Sequence, residues 1–121
     1  MADVTVLTDV GAAWIVDKLD EAVQTTGDYI GWGTGNGVAN KIDTVLSSEA
    51  AETRVVATRT QPASDKIQWV AQLASLSAQT ITNAGNFTAG SSGTLIAHGS
   101  FTGIVLAQGD KVEFTIILQI T

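Results

Sequence analysis

Hydrophobic and polar positions alternate most strictly at the C-terminal end of the chain. Val112, Phe114, Ile116, Leu118 and Ile120 fall on every second position, while Lys111, Glu113, Thr115 and Gln119 fill the gaps and Ile117 alone breaks the order. A period of two places one set of side chains on one face of an extended segment, which predicts a half-buried strand. Leu95, Ala97 and Phe101 alternate more weakly with Ile96, His98, Ser100 and Thr102, and Gly109-Asp110 supplies the turn between these two strands. Ile67, Trp69, Ala71 and Leu73 alternate with Gln68, Val70 and Gln72 to give another strand with Trp69 facing the core. Strands are also predicted over 28–32, 54–60 and 81–87, with a turn over 61–66 around Pro62 and a hairpin turn at AGSSG, 89–93. Six or seven strands result.

The N-terminal part follows a different rhythm. Residues 2–8 form a short extended arm in which Val4 and Val6 alternate with Asp3 and Thr5, able to pair with a sheet edge. From 10 to 25 the period is helical. Ala12, Ile15, Val16, Leu19, Ala22 and Val23 make an apolar stripe, Thr8 or Asp9 caps its start, and Gly27 ends it. The stripe predicts a helix lying across one face of the sheet, with Trp14 at its edge filling core or interface space. Residues 42–52, IDTVLSSEAAE, read as a solvated connection with one or two helical turns capped by Asp43 or Thr44.

The fold class is therefore mainly β, a β-sandwich or jelly-roll-like arrangement with one N-terminal amphipathic helix. An arm over 1–9 precedes a single β-rich domain over 10–121. The chain has 121 residues, 45% of them hydrophobic, which suits one core. Twelve glycines and one proline point to many tight turns. Only 15% of residues are charged, and this favours a subunit packed among neighbours over a free enzyme.

The net charge of −6 is uneven: residues 1–52 carry nine acidic and two basic side chains, and the remainder sums to +1. Phosphate binding needs clustered Lys and Arg, so direct nucleic-acid binding is not expected. The chain has no cysteine, hence no disulfide framework or thiolate metal site. No apolar run approaches membrane-spanning length and no export signal is recognisable, so no membrane partner is expected.

Candidate chemistry is sparse. YIGWGTGNG at 29–37 places glycine at 31, 33, 35 and 37, but Asn36 breaks the dinucleotide fingerprint and no P-loop lysine follows. These glycines read as a loop that turns sharply and packs closely. His98 is the only histidine; without a nucleophile elbow it reads as an exposed or interface side chain on a polar strand face. Asp110 and Glu113 are conceivable as a carboxylate pair, yet they flank a turn into a strand, where charges face water. Asn86-Phe87-Thr88 matches the glycosylation acceptor pattern, which matters only for a secreted eukaryotic chain. The expectation is no catalytic residue, no metal and no cofactor.

The order of an arm, a helix, YIGWGTGNG (29–37), DTVLSSEAAETR (43–54) and alternating strands resembles small virion structural proteins of tailed bacteriophages. The closing meander ITNAGNF (81–87), SGTLIAHGSF (92–101) and QGDKVEFTI (108–116) is similar too. Where such proteins often carry an acidic and an aliphatic residue around the glycine before the phenylalanine, this chain has Asn83 and Asn86. The resemblance implies a non-enzymatic virion part, most like a capsid decoration or cement protein. That part would bind the major capsid protein on the outer surface of the virion, form a homotrimer and assemble in the bacterial cytoplasm. The alternative is a tail or fibre component, or a carbohydrate-binding module facing the host, with tryptophans stacking on sugars. Asp3, Val4, Thr5, Val6 and Leu7 of the arm are the expected capsid or inter-subunit contacts, because a short Val-bearing strand cannot bury its apolar side alone.

Overall fold

The computed structural model describes residues 4–20 and 28–119. Its strands are β1 (Val4–Leu7), β2 (Tyr29–Gly33), β3 (Val55–Val56), β4 (Thr58–Ala63), β5 (Lys66–Ala74), β6 (Gln79–Phe87), β7 (Leu95–Leu106) and β8 (Lys111–Gln119); helix α1 spans Asp9–Asp20. All pairing is antiparallel, in a five-stranded sheet ordered β1-β7-β6-β2-β3 and a three-stranded sheet ordered β4-β5-β8. The class is mainly β and sandwich-like.

The period-two segments produce the core. On β5, Trp69, Ala71 and Leu73 are buried, and on β8 the inward set Val112, Phe114, Ile116 and Leu118 packs against the same cluster. Ile30 and Trp32 of β2, Ile81 and Ala84 of β6 and Leu106 of β7 close it from the five-stranded side. Ring contacts span the layers: Phe114 meets Trp32 edge-on and Phe101 at a tilt, both with centroids 6.1 Å apart. Ile117, the residue that broke the alternation, is exposed.

Four expectations need correction. The strand read over 54–60 is two strands: Val55–Val56 pair with β2, Ala57 is buried at the crossing, and Thr58–Ala63 belong to the other sheet. That division brings the described strands to eight. Pro62 does not sit in the turn; it lies within β4, where the register shifts between Thr60 and Ala63, and the turn is at Ser64-Asp65. An edge strand tolerates the missing N–H donor. Residues 42–52 contain no helical turn and are not merely solvated. Leu46 and Glu52 are buried, and Glu49 bridges to Gly33.

The fourth correction concerns the helix face. Thr8 caps α1, its hydroxyl accepting from the Gly11 N–H at 2.9 Å while it donates to the Leu95 carbonyl. Gly11 lies so close to the Ile96 carbonyl that a Cβ there would overlap it. Contact with β7 is thus made by the first turn, and of the predicted stripe Ala12 and Val16 are exposed while Ile15 is half-buried. Leu19 falls outside the described side chains. Ala22, Val23, Gly27 and the expected helix end near 25 fall outside the described residues, as do Asp3 and Ile120.

Candidate functional site

The five-stranded sheet carries a polar fastening beneath the segment that follows the glycine loop. His98 on β7 is buried rather than exposed, which corrects the sequence reading. The cause is that the segment carrying Ala39, Asp43 and Ser47 bonds across the sheet at Ser100, His98 and Asn83 and so covers the ring. An Asp43 carboxylate oxygen lies 2.7 Å from His98 Nδ1, and the Asn83 amide oxygen lies 2.9 Å from Nε2.

Asn83, on β6, joins this ring to the loop. Its Oδ1 also accepts from the Ser47 N–H at 3.0 Å, while its Nδ2 donates to the Ser47 carbonyl at 3.0 Å and to Thr82 Oγ1 at 3.2 Å. These partners fix the orientation of the amide. Nearby, the Ser100 hydroxyl accepts from the Ala39 N–H at 3.0 Å, and Thr82 donates to the Gly35 carbonyl. Gly33 makes the close approach possible: a Cβ there would run into the Ser47 carbonyl and the Asn83 amide. Gly31, Gly33 and Gly35 thus serve close packing, as expected, whereas Gly37 has room for a side chain and none of the four takes the positive φ of a sharp turn.

Both imidazole nitrogens face oxygen atoms, one of Asp43 and one of Asn83, so the ring ties the segment after the glycine loop to the sheet. Asp110 Oδ2 accepts from the Ala107 N–H at 2.8 Å in the turn before β8, and Glu113 is exposed on β8. Among the described residues no group of three or more His, Asp or Glu side chains is placed to hold a metal ion.

Three further fastenings surround the network. Arg54 pairs with both oxygens of Glu49 at 2.8 and 2.9 Å, donates to the Ala89 and Ser92 carbonyls, and lies 3.4 Å from the Phe87 ring centre. Asp28 accepts from Trp69 Nε1 at 3.0 Å and from Arg59. Glu52 accepts from Trp32 Nε1 at 3.2 Å, the Leu76 N–H at 2.8 Å and the Gln79 amide. Burial works to raise the Glu52 carboxyl. The donors at Leu76, its own backbone, Trp32 and Gln79 favour the charged form, however, and the net result lies below the ordinary carboxyl value. Trp32 and Trp69 are therefore core residues with satisfied indoles, unavailable for stacking on a sugar.

Among the surfaces that the described residues leave open, two combine apolar side chains with a concavity beside the sheet's fastened strands. The fastened segment displays Val38, Ile42 and Val45 at 55%, 70% and 68% exposure, and Val38 and Val45 line a depression of about 230 Å³ together with Leu46, Ser47 and His98. The second surface is a groove of about 380 Å³ between the sheets, lined by Thr5 of β1, Ala97, Gly99 and Phe101 of β7, and Phe114 and Ile116 of β8. Of the arm residues expected to make contacts, Val4–Leu7 pair with Ala97–Ser100 of their own chain, and Thr5 is exposed along the groove. The sequence signal for the fastening lay in Asn83 and His98, polar residues within the strand segments ITNAGNF and LIAHGSF. No protein-family model, curated protein or solved structure matches this chain.

Proposed function

We propose that this is a non-enzymatic virion structural protein that decorates and stabilises the capsid of a tailed bacteriophage, bound to the major capsid protein on the outer surface. The observation that carries the reading is the rigid display of Val38, Ile42 and Val45, three exposed aliphatic residues on a segment held by Asp43–His98, Ala39–Ser100 and Ser47–Asn83 bonds. Exposed apolar groups mark protein contacts, and a preordered segment loses little conformational entropy on docking. Val6 and Leu7 extend the contact on the arm, and the jelly-roll-like connectivity expected from the sequence belongs to the same proposal.

Nucleic acid is a poor partner, because Arg54 and Arg59 are committed to Glu49 and Asp28. No helix among the described residues is long and apolar enough to cross a membrane. Self-association is part of the proposal. The homotrimer implied by the resemblance is not required by it, since any symmetry that covers the open groove serves.

The test is to incubate the protein with shells that lack it and to count bound copies and measure heat resistance. The native chain should saturate the shells and raise their disruption temperature. V38D/V45D should bind roughly tenfold or more weakly, since it places charge in the contact, with an unchanged dichroism spectrum. Absence from shells together with presence on tails would replace this reading with that of a tail or fibre component.

A further inference from the structure

The three-stranded sheet has two edges of unlike construction. Its β4 edge carries Pro62, Arg59 and a register irregularity, all devices that discourage pairing with another strand. Its β8 edge is nine residues long in unbroken register with β5, and after Glu113 it presents no charge. Among the described residues the far edge of the larger sheet, β1, is likewise uncharged and pairs with no further strand. Neither β6 nor β7 contains Asp, Glu, Lys or Arg, although the chain carries a net −6. Among the described strands of this flank, charge is confined to Lys111 and Glu113 at one end of β8, and the rest is uncharged, as the centres of protein interfaces are.

That flank is also incompletely covered. Phe114 of β8 lies against Trp32 of β2 and Phe101 of β7, which puts β8 beneath the middle of the five-stranded sheet. The β1 edge and the adjoining part of β7 extend past it. The space below them is the groove of about 380 Å³, with small residues Ala97 and Gly99 on its ceiling. Trp69, Ala71 and Leu73 on β5 are buried, whereas all four inward residues of the neighbouring β8 are only half-buried.

We infer that the open flank binds a second copy of this chain about a two-fold axis, with β1 of each copy pairing along β8 of the other. Five strands over three leave an overhang in one layer and a deficit in the other. A copy turned by a two-fold axis offers the same overhang and deficit with the layers exchanged. Each overhang then enters the other's groove. Both layers become continuous, with five strands from one copy and three from its partner. Pairing β8 with β8 would instead drive the two overhanging sheets into each other, and a three-fold ring in which sheets continue edge to edge would leave the facing overhangs unmatched. The arrangement is isologous and closed, so it ends at two copies.

Sedimentation of the full chain at micromolar concentration tests this directly. Twice the chain mass is expected; one chain mass at high micromolar concentration, or three, would overturn the proposal. I117K and T5K each put a charge on an exposed edge position, and each should weaken association roughly 100-fold with an unchanged dichroism spectrum. Undiminished association of both variants would overturn it too. Because the chain has no cysteine, mixing T5C with I116C, two positions that face the groove between the layers, under mild oxidation should give a cross-linked pair containing one chain of each kind. A Q61C control on the β4 edge should give none with T5C. Equal cross-linking through the β4 edge would contradict the assignment.

Discussion

The two flanks of this sandwich solve the same problem differently. On one, β2 and β3 face β4 and β5, the indoles of Trp32 and Trp69 are buried with carboxylate partners, and the outermost strand is blunted by Pro62. On the other, β1 and β7 reach beyond β8 over a groove, and the edge strands keep an unbroken register and are nearly uncharged. A sheet that can end safely at β4 shows that the chain possesses the means to finish an edge. Their absence at β8 marks a surface made to be covered.

The flanks should differ most when one aromatic is truncated on each. Trp69→Ala should cost about 3 to 5 kcal/mol in urea denaturation, because it empties a fully buried site. Phe114→Ala, measured where the protein is monomeric, should cost about 2 kcal/mol, since water already reaches part of the ring. Equal losses would mean that the flanks are equally closed.

The polar fastening comes next. His98→Ala leaves Asp43 and the Asn83 amide oxygen without their shared partner and should cost about 2 to 3 kcal/mol, checked by thermal unfolding. A loss within about 0.5 kcal/mol would identify the ring as dispensable to the loop.

Much of the closed flank was legible in the sequence. The alternation around Trp69 names the residues that are buried on β5, and that of 112–118 names the inward face of β8. These patterns are local, and a strand's period survives whatever it packs against. The fastening was not legible, because Asp43 and His98 are separated by 55 positions and meet only once β6 and β7 are paired. Likewise the apolar stripe of α1 described an amphipathic helix, yet the docking point was decided by Gly11, the one place where backbone could approach Ile96. The split at Ala57 was hidden for a related reason: Val-Val-Ala-Thr reads as one strand, and only the presence of two sheets divides it.

A smaller effect separates the flanks by acid. Folding lowers the proton affinity of Glu52, so the stability it contributes is complete above its ordinary value of 4.5 and is lost as pH falls through the lower folded value. Glu52→Gln should therefore be less stable than the native chain at neutral pH and lose less of its remaining stability on acidification. Identical pH profiles for the two proteins would remove Glu52 from the account. Smallest of all should be the effect of I117K on the monomer, within about 0.5 kcal/mol by denaturation, because that side chain faces solvent until a partner arrives.

Amide hydrogen exchange along β5 and β8, followed over a dilution series of the native chain, tests the central claim most directly. Residues 68–70 of β5 are paired with β4 on one side and with β8 on the other within one chain, so their protection should be the same at every concentration at which the chain stays folded. On β8, the alternate N–H groups that face away from β5 and lie opposite the partner's four-residue β1 should be protected at high concentration and exchange progressively faster on dilution. Protection of those groups that is complete and independent of concentration, or absent throughout, would contradict a flank that is open in the monomer and closed by a second copy.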